Sequence, residues 1–296
     1  MSQFHYMLVD AFCDRPLAGN PCAVVFDTED MSDTTMQAVA REMNLSETAF
    51  VRRSSVADFG VRYFTPAEEI PMAGHPTIAT TFALVESGRL PLRGIHTAIT
   101  LELKVGPIPV EIFGTHGKIE RIVMTQKKPQ FLAIHAAETV LPVFGLNAND
   151  ALAGVPIQTV STGTPQLMLP LRDLAALRRA RLDIPAYDRL RAQSDFFSPH
   201  LFCLQGFTAS GHTASRHFGS PPDTLEDPFT GSATGAMAAH LWRYGLIDEA
   251  RFLAEQGHDM NRPGQGTVEI IGPRDDIETV KVGGGAVTVI RGELEL

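Results

Sequence analysis

Residues 72–77 read MAGHPT and residues 230–235 read TGSATG. Each follows a proline-containing stretch and opens a run without charge: PTIATTFALV from Pro76 to Val85, and SATGAMAAHLW from Ser232 to Trp242, in which His240 is the one titratable group. Pro76 suits the first turn of a helix, Glu86-Ser87-Gly88 is a good stop for the first run, and Gly245 closes the second. A helix that is apolar all round has to be enclosed all round. The material for enclosure is a series of short strand-like runs, FHYMLVDAF, AVVF, TAFVRR, VRYF, ITLELKVG, IPVEIFG and KIERIVM in the first half, and QTVST, QLMLPL, HLFCLQGF, GTVEIIG, VKVGG and AVTVI in the second. The predicted fold is α+β: two pseudo-symmetric domains, each a curved, mostly antiparallel sheet or barrel wrapped around a central helix.

Internal similarity supports the duplication. Arg62-x-Phe64 precedes Pro66, Gly74, Thr77 and Ala79, and Arg216-x-Phe218 precedes Pro221, Gly231, Thr234 and Ala236. Glycine to threonine is three residues in both copies, while arginine to glycine is 12 in the first and 15 in the second, a difference that a loop insertion of three explains. Upstream, GNPCAVV at 19–25 is echoed by GTPQLML at 163–169. An N-terminal domain is expected over residues 1–125 and a C-terminal domain over 130–285. KKPQFL, near 127–132, is the candidate linker, and the last strand, 286–296, either continues the second domain or returns to complete the first. Two surface-type helices are also predicted. One runs through DTTMQAVAREM after an N-cap at Ser32, with Met36, Val39, Ala40 and Met43 on one face. The other region, Asp173 to Gln193, reads as one or two helices interrupted at Pro185.

Composition narrows the function classes. The 296 residues are 44% hydrophobic and 20% charged with a formal net charge of -9, a globular profile that argues against a general nucleic-acid surface. Three cysteines, Cys13, Cys22 and Cys203, form no CxxC pair and give no disulfide framework or zinc knuckle. MSQFHYMLVDAF lacks a basic segment leading into an apolar one, and no uncharged stretch reaches membrane-spanning length, so a cytoplasmic location without membrane partners is expected. GxGxxG, Walker A and GxSxG patterns are absent, and His5, His96, His116, His135, His200, His212, His217 and His258 lack paired metal-ligand spacing, which favours surface or capping roles. No metal and no cofactor are expected.

Each uncharged helix begins with glycine and small polar residues, leaving its first amides unobstructed at the positive end of the helix dipole, a setting for an anion. Taken singly, Gly74 or Gly231 reads as a chain turn; their duplicated placement points to function. His75 stands at the first helix start, and Glu226, Asp227 and Ser232 stand at the second. Glu47, in NLSETAF, reads as an exposed charge unless it is desolvated beside a bound acid, where its pKa would rise above about 4.3 and make it a usable proton carrier.

The stretches DAFCDRPLAGNPCAVV, AREMNLSETAFV, RYFTPAEEIPMAGHPTIAT, EDPFTGSATGA and EQGHDMNRPG, in order from residue 10 to residue 264, resemble the PhzF-like family of phenazine-biosynthesis isomerases. The resemblance implies the diaminopimelate epimerase-like fold with the active site between two domains, and a homodimer. It implies Glu47 as the acid/base that moves a proton within a cyclic acid, with His75 and Asp227 flanking the substrate. It also implies contacts to the substrate carboxylate from Gly231 and Ser232 with Gly74 opposite, and Asn20 near the site. Epimerases of the wider superfamily carry a cysteine at each helix start; here Ala73 precedes Gly74, and Pro228 and Phe229 precede Thr230-Gly231, so two-thiol inversion is chemically unavailable. The expected function is that of a cofactor-independent isomerase moving a proton within a small, cyclic carboxylate. The alternatives are a racemase or epimerase using Glu47 and Asp227, and a non-catalytic small-acid-binding protein.

Overall fold

The computed structural model describes residues 2–296. Along the chain run β1 (Gln3–Ala11), β2 (Asn20–Val25), α1 (Asp33–Met43), β3 (Glu47–Arg52), β4 (Phe59–Phe64), β5 (Glu69–Ile70), α2 (Gly74–Glu86), β6 (His96–Leu103), β7 (Gly106–Thr115) and β8 (Lys118–Thr125). There follow β9 (Gln130–His135), α3 (Ala137–Val140), β10 (Ile157–Ser161), β11 (Pro165–Pro170), α4 (Leu174–Arg179), α5 (Ile184–Ala192), β12 (Ser198–Cys203) and β13 (Thr213–Phe218). The chain closes with β14 (Glu226–Asp227), α6 (Gly231–Arg243), β15 (Arg251–Gln256), β16 (Gly264–Ile271), β17 (Thr279–Gly284) and β18 (Ala286–Glu295). Met1–Thr125, Pro222–Thr224 and Val282–Leu296 form one compact unit; Gln126–Pro221 and Leu225–Lys281 form the other.

Within the first unit, β1 pairs antiparallel with β2 and β18, β2 runs parallel to β3, β3 antiparallel to β4, and β4 antiparallel to β5 but parallel to β6, which continues antiparallel into β7 and β8. The second unit repeats this path: β10 antiparallel to β11, β11 parallel to β12, β12 antiparallel to β13, β13 antiparallel to β14 but parallel to β15, and β15 antiparallel to β16. The fold is therefore α+β and duplicated. Register makes the copies comparable residue by residue. Cys22 faces Glu47 and Ala49 faces Tyr63 in the first unit, as Gln166 faces Ser198 and His200 faces His217 in the second.

The two uncharged helices are the axes of these units. Strands β1, β2, β3, β8 and β18 pack on α2, and β10, β11, β12 and β16 pack on α6. Ile78, Ala79, Ala83 and Leu84 of α2 and Ala236, Met237, Ala239 and Leu241 of α6 are buried. Each large apolar side chain enclosed this way contributes about 1.5–3 kcal/mol, and a charge in either helix would forfeit it. Thr77 and Thr234 turn their hydroxyls onto the carbonyls of Ala73 (2.7 Å) and Thr230 (2.9 Å), which explains the repeated glycine-to-threonine spacing.

The repeated arginines also have a structural role. Arg62 donates through Nε and Nη2 to Glu69 at 2.8 and 3.0 Å, and Arg216 does the same to Glu226 at 2.8 and 2.7 Å, so each fastens a two-residue strand just ahead of its axial helix. Arg62 lies over Phe64 and Arg216 over Phe218, accounting for the Arg-x-Phe pattern. Arg62 to Glu69 spans 7 residues and Arg216 to Glu226 spans 10, which locates the insertion of three in the β13–β14 loop. Pro222–Thr224 lies in that loop and belongs to the first unit, where Asp223 Oδ1 accepts from the Ala67 amide at 3.2 Å and the Thr224 hydroxyl sits 3.3 Å from that of Ser46.

Ser32 caps α1 by accepting from Thr35 N, and Met36, Val39 and Ala40 are buried with Met43 packed beside them. The Asp173–Gln193 region forms two helices, α4 and α5, with Pro185 in the first turn of the second. Strand β18 pairs with β1 along its length. KKPQFL begins just past the chain boundary between the units: residues 127–129 lie outside the strands, and from Gln130 onward the chain belongs to β9, whose backbone groups pair with β10. Cys13, Cys22 and Cys203 form no disulfide. Among the described residues no helix is long and apolar enough to cross a membrane.

Candidate active site

In the first unit, Asn44 ends α1 in the left-handed conformation, turning the chain into β3 so that Glu47 is the first strand residue. Its side chain keeps 17% of its accessible surface, and Oε2 lies 3.2 Å from Nε2 of His75, which is 2% exposed. The plain surface charge that an isolated glutamate suggests is therefore not what β3 carries. His75 is the second residue of α2, fixed in the first turn by the Pro76 that follows. On its other side, Nδ2 of the fully buried Asn20 lies 2.9 Å from Nδ1. An amide nitrogen can only donate, so Nδ1 accepts, and a neutral ring then carries its proton on Nε2, facing Glu47. Burial pushes the His75 pKa down to about 3, which keeps the ring neutral at physiological pH. Asn20 is delivered by Gly19 at φ 58, where a side chain would meet the Ala11 carbonyl oxygen at 2.1 Å. Cys22, the strand partner of Glu47, has its thiol pKa pushed well up by burial and by the charge of Glu47.

In the second unit, Asp227 follows Glu226 in β14 and is 8% exposed. The Thr230 hydroxyl donates to its Oδ2 at 2.5 Å. Gln256, the last residue of β15, spans the turn that follows: its Nε2 donates to the Asp227 carbonyl (2.7 Å) and to Thr230 Oγ1 (3.2 Å), while its Oε1 accepts the Thr230 amide (3.1 Å). Gly231 and Ser232 open α6. The Gly231 carbonyl is held by Gln126 Nε2 at 2.8 Å, leaving the helix start fixed from below.

One contrast separates the axial helices from three others. α1, α4 and α5 each have a side-chain cap, from Ser32, Asp173 and Asp183, whereas Ala73 before α2 and Thr230 before α6 offer none to the first amides. An uncapped helix start presents N–H donors and partial positive charge to a ligand. Glu226 is otherwise engaged, since its carboxylate is taken by Arg216. The expectation of surface or capping histidines fails at His200 and His217, which are 0% and 7% exposed on adjacent strands. Ser198 Oγ donates to Gln166 (2.7 Å) and so accepts from His217 Nε2 (2.9 Å), leaving His217 Nδ1 to accept from His200 Nδ1 (3.3 Å). Burial holds His217 at about 3 and lowers His200, the latter also by its proximity to His217, so both rings are neutral. Spacing could not find them, because their partners come from different strands.

Residues expected at the site thus fall into two sets: Glu47, His75 and Asn20 are in mutual contact through His75, with Gly74 adjacent in the chain, and Asp227, Gly231 and Ser232 surround the α6 start. The register equates Glu47 with Ser198, so the second unit has a hydroxyl where the first has a carboxylate. Gln256 and Thr230 were not singled out by sequence, although Gln256 belongs to the quoted stretch EQGHDMNRPG.

A family model described as phenazine biosynthesis-like protein matches residues 9–292. The trans-2,3-dihydro-3-hydroxyanthranilate isomerase of Pseudomonas chlororaphis is 35% identical over 297 aligned residues, spanning 99% of each chain. The crystal structure of a PhzF-family phenazine biosynthesis protein from Bacillus anthracis aligns over 100% of both chains with a TM-score of 0.87 and 30% identity. A protein described as a predicted epimerase from Pseudomonas aeruginosa aligns over 99% of both with a TM-score of 0.84 and 31% identity. The chain belongs to the PhzF-like, phenazine biosynthesis-like family of isomerases.

Proposed function

We propose that the protein moves a proton within a small, cyclic, unsaturated carboxylate, with Glu47 as the acid/base, and that it needs no cofactor. The observation that carries this reading is the partly buried Glu47 carboxylate 3.2 Å from a neutral histidine at an uncapped helix start. Glu47 takes a proton from one ring carbon, breaking a C–H bond and forming O–H; the electron pair delocalises toward the substrate carboxylate. The carboxyl group then returns the proton to a second carbon. Composition and oxidation state are unchanged, so the balance calls for no co-reactant. Amides of Gly74, Gly231 and Ser232 bind the substrate carboxylate and stabilise the charge that develops on it. The neutral His75 ring lies against the Glu47 carboxylate, Asn20 donates to His75, and Asp227 orients the substrate. Following the family resemblance, the protein works as a homodimer in the cytoplasm.

The test is turnover of trans-2,3-dihydro-3-hydroxyanthranilate and a panel of other cyclic unsaturated acids, followed by absorbance and NMR. Glu47→Gln is expected to lose about 10²- to 10⁴-fold, the range for an essential acid/base. Full turnover by that variant on a substrate the parent converts removes the assignment. A second reading, two-base epimerisation by Glu47 and Asp227, is favoured by the relative described as a predicted epimerase. Turnover in deuterium oxide separates them: a single shuttling base retains substrate hydrogen in part, and two-base inversion takes all of its new hydrogen from solvent.

A further inference from the structure

Asp227 and the start of α6 depend on one side chain that the proposed reaction does not use. Gln256 is 1% exposed and its amide orientation is unambiguous, since the Thr230 N–H on one side must meet oxygen and the Asp227 carbonyl on the other must meet nitrogen. The same nitrogen also donates to Thr230 Oγ1. A hydroxyl that accepts there turns its own proton elsewhere, and Asp227 Oδ2 lies 2.5 Å away in the direction it takes. We propose that Gln256 is a positioning residue that steers the Thr230 hydroxyl proton onto the Asp227 carboxylate, holding that carboxylate ionised and in one rotamer above the α6 start. Deepening the role of Asp227 in this way rests on its reading as a substrate-facing group. On the strands packed against it in its unit, the titratable neighbours are His217, its ladder partner, and Glu226, which Arg216 holds.

The experiment follows the Asp227 carboxyl carbon by NMR titration in the full-length protein, in the parent, Gln256→Met, Thr230→Val and the double variant, with kcat/KM against pH alongside. A donated hydrogen bond favours the charged carboxylate, so removing it raises the titration midpoint. Thr230→Val is expected to raise the Asp227 midpoint by about one pH unit, Gln256→Met to raise it in the same direction, and the double variant to match Thr230→Val, as a shared route demands. An unchanged midpoint in either single variant, or additive shifts in the double, overturns the proposal, and Thr230→Val decides it should Gln256→Met fold poorly. A parent that converts none of the acids but shows the expected carboxyl shifts leaves the steering intact and refutes the assigned reaction.

Discussion

Burial of neutral histidines makes this protein acid-sensitive in a way that can be assigned to single residues. His240, on α6, is fully enclosed, its Nε2 lies 3.0 Å from the Pro156 carbonyl, and it packs against Phe202 and Tyr244. Burial pushes its pKa from 6.5 down to about 4, only partly offset by the bond to Pro156. The folded pKa lies below the unfolded one, so on acidification the unfolded chain binds the proton first and stability falls as pH drops from 6.5 toward 4. Between pH 7.5 and 5.0 the linkage amounts to about 2 kcal/mol for this one ring. In His240→Gln the side-chain amide can still donate to Pro156; the lost ring packing is a constant that cancels when one variant is compared at two pH values. Urea unfolding at pH 7.5 and 5.0 should therefore show the variant losing about 2 kcal/mol less than the parent over that interval. Equal losses in both proteins, or a His240 ring that titrates near 6.5 by NMR, would refute the reasoning.

Two further outcomes concern the framework. Glu226→Gln leaves Arg216, 11% exposed, without its carboxylate and should cost about 2 kcal/mol in chemical denaturation; Glu69→Gln tests the matching pair at Arg62 and should act in the same direction. Ser32→Ala removes the cap on α1 and should cost about 1 kcal/mol, read from the unfolding midpoint with the slope unchanged.

The fold was legible because its two axial helices are written in a composition that surface helices do not use. Uncharged runs from Pro76 and Ser232 admit one environment, and the repeated Arg-x-Phe and glycine-to-threonine spacings show that the environment occurs twice. Glu47, His75 and Asn20 were expected near one another from motif and family resemblance, and His75 does lie against both of the others. What stayed hidden depends on pairing across strands. Nothing local marks Ser198 as the counterpart of Glu47, because that equivalence exists only in the β2–β3 and β11–β12 registers. Gln256 lies 26 residues beyond the Thr230 amide it accepts, and the His200–His217 contact joins rings 17 residues apart. KKPQFL lies at the chain boundary between the units, but where its connector ends and β9 begins, at Gln130, is set by pairing with β10 and not by local polarity.

The substitution of a hydroxyl for a carboxylate at matched strand starts means that the ancestral repeat has been differentiated where it matters most. The carboxylate that the proposed chemistry uses belongs to one copy, and its sibling position sits in a neutral chain of serine, glutamine and two imidazoles. Repetition of one strand path has in this way yielded two halves that share an architecture but not a set of polar side chains.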